Sequence, residues 1–240
     1  MRLIACEHYD EMSERAAKII ADVMTQKPNA VLGLATGSTP IGTYQRLCEM
    51  NRRGEIDFSK ITTFNLDEYY PISPENDQSY RYFMNANLFD HVNIDKAATF
   101  VPRGDAEDPD EECRRYEAML DASAGIDIQV LGIGQNGHIG FNEPDRDLVT
   151  VTHVTALTDS TIDANARFFA CREDVPTKAL TMGMRSIMKA KTIILLASGK
   201  SKQAAVARLL DETLTTDCPA TLLKLHPNVI LICDKDALAQ

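Results

Sequence analysis

The chain lacks a closely spaced cysteine pair, an excess of positive charge and a long apolar stretch, and each absence removes a class of protein. Its six cysteines (Cys6, Cys48, Cys113, Cys171, Cys218 and Cys233) are scattered through 240 residues, whereas zinc ribbons and dithiol redox motifs need pairs only a few residues apart. They are expected to be buried free thiols. Four of the five histidines, His8, His91, His153 and His226, offer no recognisable ligand set, so no metal is expected. Lys and Arg number 25 against 35 Asp and Glu, a formal charge of −10, and a surface of that sign repels nucleic acid and anionic lipid. Any anionic ligand then needs a local cationic site. The N-terminal MRLIACEHYDEM holds one Arg and reaches acids after a few apolar residues, which excludes a signal-peptide core and a membrane span. The expectation is a cytoplasmic protein.

What is present is ordinary for a globular chain: 44% hydrophobic and 25% charged residues, at a length that one α/β domain commonly reaches. Short apolar runs at 30–35, 61–66, 126–131, 192–197 and 228–233 are rich in β-branched residues, as strands buried on both faces would be. Helical patterns at 40–53, 79–89, 108–122, 178–190 and 200–211 fall between them. A first helix is expected after a capping Ser13, ending before Pro28. The segment 149–157 (VTVTHVTAL) alternates like a half-exposed strand outside the main sheet. This β-α-β alternation predicts one doubly wound, Rossmann-like α/β domain over 1–240, with a mainly parallel sheet and helices on both faces. Ligands then sit beyond the carboxyl ends of the strands.

Three segments carry chemistry. Ala35-Thr36-Gly37-Ser38-Thr39-Pro40 lies where a strand gives way to a helix. With Pro40 at the first helical position, Ser38 or Thr39 as cap and Gly37 letting backbone N–H groups approach a ligand, it is either a phosphate cradle or an ordinary strand-to-helix turn. Gly37 and Gly42 have P-loop spacing, but Thr43 and Tyr44 stand where Lys and Ser/Thr are required, which argues against an NTPase. In Asn65-Leu66-Asp67-Glu68-Tyr69-Tyr70, two acids end an apolar strand. They are either a solvated pair or, if one borders an apolar pocket, a general base with its pKa lifted by desolvation.

The third is Leu131–Pro144, LGIGQNGHIGFNEP. Gly132, Gly134 and Gly137 match the dinucleotide fingerprint, yet Pro144 and the strand-like run near 149 leave no room for the helix that fingerprint must open. The glycines are better read as shaping an active-site loop. Within it Asn136, His138 and Glu143 stand out, and a histidine with a carboxylate partner is either a proton shuttle or a locally capped structural residue.

Taken together, LGLATGSTP (32–40), FNLDEYY (64–70), LGIGQNGHIGFNEP (131–144), NARFF (165–169) and ASGKSK (197–202) resemble the glucosamine-6-phosphate deaminases nearly end to end. The resemblance implies conversion of glucosamine 6-phosphate and water to fructose 6-phosphate and ammonium, without metal or organic cofactor. By matching position, it makes Asp67 the base at C2, His138 the ring-opening acid/base and Glu143 the group that orients and tunes it. Gly37, Ser38, Thr39, Arg167 and Lys202 become the phosphate clamp. Some members carry Asp in place of Asn136, which implies that Asn136 orients His138 or the substrate without handling a proton. Segment 145–190, between the His138 loop and the next strand, is the lid candidate.

Longer members are hexamers activated by N-acetylglucosamine 6-phosphate at a basic interface site. This chain stops six residues past Asp234, and 149–157 offers Val151, His153 and Thr155 without Lys or Arg. Hyperbolic kinetics and a monomer or small homo-oligomer are therefore expected, with a sugar phosphate as the small-molecule partner. Two other readings remain. A 6-phosphogluconolactonase-like hydrolase has no need of the C2 base that NLDEYY supplies. A sugar-phosphate sensor domain would need a helix-turn-helix that the first 27 residues do not provide.

Overall fold

The computed structural model describes residues 1–166, 169 and 171–238. Its elements are, in chain order, β1 (Arg2–Cys6), α1 (Tyr9–Gln26), β2 (Val31–Leu34), α2 (Ile41–Arg52), β3 (Thr62–Asn65), β4 (Asp67–Tyr70), α3 (Tyr80–Asn87), β5 (Thr99–Phe100), α4 (Pro109–Ala122), β6 (Ile128–Gly132), β7 (His153–Ala156), α5 (Asp159–Asn165), β8 (Lys178–Thr181), α6 (Met184–Met188), β9 (Thr192–Ala197), α7 (Gln203–Leu210) and β10 (Val229–Asp234).

Seven strands form one sheet in the order β1-β10-β9-β6-β2-β3-β5, every neighbouring pair parallel. Every residue of β2 and of β10 is buried, which requires cover on both faces and explains why these strands read as unbroken apolar runs. The chain runs outward from β2 through β3 to β5, and in the other direction from β6 through β9 to β10. The strand order therefore reverses between β2 and β6, and the carboxyl ends there open a crevice.

The five expected strands and the helices at 40–53, 79–89 and 108–122 are present with small changes at their ends, and 200–211 is a 3-10 turn running into α7. The first helix begins earlier than Ser13. His8 is its cap, accepting from the Glu11 N–H at 3.3 Å, and Ser13 is buried inside the helix against α2. Because an imidazole nitrogen satisfies the free N–H one turn earlier, the serine is released to the packed face.

The expected helix over 178–190 is corrected. Lys178–Thr181 is a strand, and only Met184–Met188 is helical. β8 is the middle strand of a small antiparallel sheet, β4-β8-β7, in which Asp67 faces Thr181 on one side and His153 faces Thr181 on the other. Backbone pairing with β4, far away in sequence, outweighs the local pattern. β7 is the strand expected within 149–157, at the edge of this second sheet. The link between the two sheets is short: Leu66 donates to the Leu34 carbonyl at 3.1 Å and receives the Met182 N–H at 2.8 Å. β4 thus starts at the mouth of the crevice, with Asp67 as its first residue.

Candidate active site

Four neighbouring strands, β9, β6, β2 and β3, deliver their carboxyl ends to one cavity of about 610 Å³, within the roughly 300–1,000 Å³ usual for small-molecule sites. Gly37, Ser38 and Thr39 line it after β2, Asp67 after β3, Asn136 and His138 after β6, and Lys202 after β9. Of the residues expected at the site, Glu143 lies behind His138, and Arg167 is outside the described residues.

The loop after β2 is held by two phenols. Tyr44 donates to the Ala35 carbonyl at 2.6 Å, and Tyr9 donates to the Ser38 carbonyl at 3.1 Å while accepting the Gly42 N–H at 2.8 Å. The N-cap of α2 is Pro40, with no side-chain cap. The capping expected of Ser38 or Thr39 is therefore not made, and both residues instead line the cavity.

Asp67 and Glu68 are not a solvated pair: they are 6% and 2% exposed. Burial raises the Asp67 carboxyl to about 8, with the neighbouring Glu68 charge adding to the effect. Glu68 faces away from solvent into the first turn of α3, where its oxygens accept the N–H groups of Tyr69 (2.9 Å), Tyr80 (2.8 Å) and Arg81 (2.9 Å). Burial pushes it up to about 7, and these three donors pull the other way. Glu68 thereby ties β4 to α3 and brings Tyr80 to the cavity wall.

The loop after β6 builds a compact cluster of three polar side chains. His138 Nδ1 lies 3.2 Å from Glu143 Oε1. Asn136 is engaged at both ends: its Oδ1 accepts the His138 N–H at 3.2 Å and its Nδ2 donates to Glu143 Oε2 at 2.7 Å. These two demands set the amide orientation. Burial works against the Glu143 charge, but the hydrogen bond and charge of His138, with donors Asn136 and Thr161, overcome it and bring the carboxyl to about 2. Gly134 lies beneath the imidazole, since a Cβ there would fall 2.4 Å from ring atoms. No helix follows this loop before β7, in keeping with its rejection as a dinucleotide motif.

Sequence reasoning missed Tyr80, Phe141 and Thr161 on the cavity wall. Phe141 lay inside a recognised motif. Thr161 had a faint signal in the Thr158–Thr161 spacing, since Thr158 caps α5 by accepting the Thr161 N–H at 3.2 Å. Among the described residues, no group of three or more His, Cys, Asp or Glu is placed to hold a metal ion.

Fold and site together define a doubly wound α/β protein with a histidine–glutamate pair and a buried carboxylate at one cleft beside the strand-order switch. The chain belongs to the family of glucosamine-6-phosphate isomerases and 6-phosphogluconolactonases, whose profile matches residues 5–231. It is 57% identical over 237 residues to the glucosamine-6-phosphate deaminase of Thermoanaerobacter pseudethanolicus, covering 99% of this chain and 94% of the relative. With that of Clostridium perfringens it shares 55% identity, covering 99% and 98%. A solved monomeric glucosamine-6-phosphate deaminase superposes with a TM-score of 0.97 at 47% identity, covering 99% of this chain and 98% of that one. The 6-phosphogluconolactonase of Thermotoga maritima superposes with a TM-score of 0.77 at 20% identity, covering 98% and 99%, a likeness of fold alone.

Proposed function

We propose that this protein is a glucosamine-6-phosphate deaminase, converting glucosamine 6-phosphate and water to fructose 6-phosphate and ammonium. The observation that carries the reading is a buried carboxylate, Asp67, in the same cavity as the His138–Glu143 pair. Lactone hydrolysis has no C2 proton to move, whereas aldose–ketose isomerisation requires a base beside that carbon.

In the closed pyranose C1 carries no carbonyl, so the C2–H is not acidic until the ring opens. His138 serves that step, taking the proton of the anomeric hydroxyl and returning one to the ring oxygen, while ionised Glu143 steadies the ring when it is protonated. Asn136 keeps Glu143 and the His138 backbone in register. Asp67 then removes the C2 proton from the open-chain aldehyde while O1 takes up a proton from water, giving an enolamine. The same carboxyl returns the proton to C1, and water hydrolyses the resulting C2 imine to the ketone and ammonium. A carboxyl raised by burial suits this shuttle, because it holds a proton long enough to deliver it.

Backbone and hydroxyl groups of Gly37, Ser38 and Thr39, with Lys202 and Arg167, take the phosphate dianion, supplying locally the positive charge that the chain as a whole lacks. Segment 145–190 remains the lid candidate only in the part that precedes β8, since β8 is fixed by its pairing with β4. The reading includes a cytoplasmic enzyme, monomeric or a small homo-oligomer, with hyperbolic kinetics. Support for it comes from the absence of Lys and Arg in 149–157 and from described helices none of which is long and apolar enough to cross a membrane.

The test is release of ammonium and ketose phosphate from glucosamine 6-phosphate by the purified protein. Stoichiometric release of both is expected. Hydrolysis of 6-phosphogluconolactone with neither product formed would overturn the reading. Sigmoidal kinetics made hyperbolic by N-acetylglucosamine 6-phosphate would overturn its non-allosteric part.

A further inference from the structure

The carboxylate of Glu143 is held from three directions, and one of them comes from a distant part of the chain. Oε2 accepts from Asn136 and Oε1 faces His138, both within the loop after β6. Oε1 also accepts the hydroxyl of Thr161 at 2.7 Å. Thr161 belongs to α5, in the segment between β7 and β8, and is 9% exposed where it reaches the cavity wall.

The direction of the hydroxyl chain is set by the Glu143 carboxylate, which can only accept. Thr158 Oγ1 accepts the Thr161 N–H as the cap of α5, at 3.2 Å, and donates its own proton to Thr161 Oγ1 at 3.0 Å. Thr161 Oγ1 is therefore already an acceptor, and its single proton is directed at Glu143. Chains of this kind polarise one another, so the last bond is stronger than an isolated hydroxyl–carboxylate contact.

From this geometry we infer that Thr161 is a positioning residue for the His138–Glu143 pair: its hydroxyl fixes the Glu143 carboxylate, and with it the orientation of the His138 ring toward substrate, so that proton transfer depends on the seating of α5. The inference rests on reading the site as a deaminase. Its chemical content is specific. With the Thr161 proton in place, the charge on Oε1 is shared between the Thr161 hydroxyl and the His138 Nδ1 that faces it at 3.2 Å. Without it, that charge falls on Nδ1 of His138 alone and the carboxylate can rotate about its remaining anchor, Asn136.

The test compares Thr161→Val, which keeps the β-branch and removes the hydroxyl, with Thr161→Ser, which keeps the hydroxyl and removes the methyl. In Thr161→Val, kcat for glucosamine 6-phosphate falls about tenfold with KM within about twofold, as expected when a catalytic group is misplaced rather than ground-state binding lost. The limb of the activity–pH profile belonging to the His138–Glu143 pair moves to higher pH. Thr161→Ser restores both. Independently of turnover, the NMR signal of the proton on His138 Nδ1 moves downfield in ligand-free Thr161→Val and returns in Thr161→Ser.

An unchanged kcat and pH limb in Thr161→Val would overturn the inference. So would a serine variant as impaired as the valine one, because the methyl rather than the hydroxyl would then matter. A raised KM with unchanged kcat would place Thr161 against the substrate instead and would also overturn it. Should the unsubstituted protein release no ammonium, the deaminase reading fails by itself, and the Nδ1 signal still decides the Thr161 coupling: displacement supports it and no displacement overturns it.

Discussion

Gly140 lies against the carboxylate of Asp67: a Cβ built on it would fall 3.3 Å from Asp67 Oδ2 and 3.0 Å from Thr181 Oγ1, at a φ of +59°. The loop that carries His138 thus passes directly over Asp67 on β4, and glycine accommodates both the left-handed backbone and the close approach without displacing a neighbour. Gly140→Ala is expected to cost about 1–2 kcal/mol from the backbone alone, a fall in Tm of about 2–8 °C for a chain of this size. Turnover should fall by more than tenfold as Asp67 is displaced. Differential scanning calorimetry and ammonium release measure the two effects.

Asp67→Asn should abolish turnover while leaving the affinity for a phosphorylated ketose within a few-fold, because shape is kept and the base is lost. The folded carboxyl sits near 8, well above its unfolded value of about 3.9. The native state therefore binds the extra proton, and stability is full below about pH 4 and declines as pH rises toward 8. Asp67→Asn should accordingly be more stable than the parent at pH 8–9, by up to a few kcal/mol, and equal to it near pH 4. Urea midpoints at the two pH values check this. For the parent, kcat/KM should rise with pH toward about 8 as Asp67 ionises.

Glu68→Gln removes the negative charge beside Asp67 and one or two of the acceptor contacts that meet Tyr69, Tyr80 and Arg81. The limb assigned to Asp67 should move to lower pH, since the neighbouring charge contributes to its elevation. Orphaned N–H groups at the start of α3 should destabilise the protein by about 1–3 kcal/mol. A pH profile that does not move would separate Glu68 from the base.

Glu143→Gln removes the carboxylate that faces His138 Nδ1 at 3.2 Å and should lower kcat for glucosamine 6-phosphate. Glu143 is brought down to about 2 from 4.5. Its stabilisation is therefore fully present above about pH 4.5 and lost as pH falls through about 2. The parent should exceed the variant by about 2 kcal/mol at pH 6, and the gap should close in that acid window, as followed by denaturant unfolding.

Lys202→Ala and Arg167→Ala should each raise KM for the sugar phosphate by roughly ten- to a hundredfold, if each charged hydrogen bond contributes about 1.5–3 kcal/mol. Steady-state kinetics on glucosamine 6-phosphate decide it, and an unchanged KM would move the phosphate elsewhere.

The sequence by itself determined what depends on neighbours along the chain. Strands such as β2, β9 and β10 were legible because both faces are covered, so nearly every position had to be apolar. The pairing of Asn136 and His138 with Glu143 was legible because one glycine-shaped loop holds all three within eight residues. What only the tertiary structure decided rests on contacts between segments far apart. Lys178–Thr181 became a strand through backbone bonds to β4, and Asp67 and Glu68 became buried groups because β8 and α3 close over them. Thr161 met Glu143 because α5 folds back over the His138 loop. Hydrogen bonding and desolvation act through space, and residue type and spacing along a chain record them only where the partners are also close in sequence.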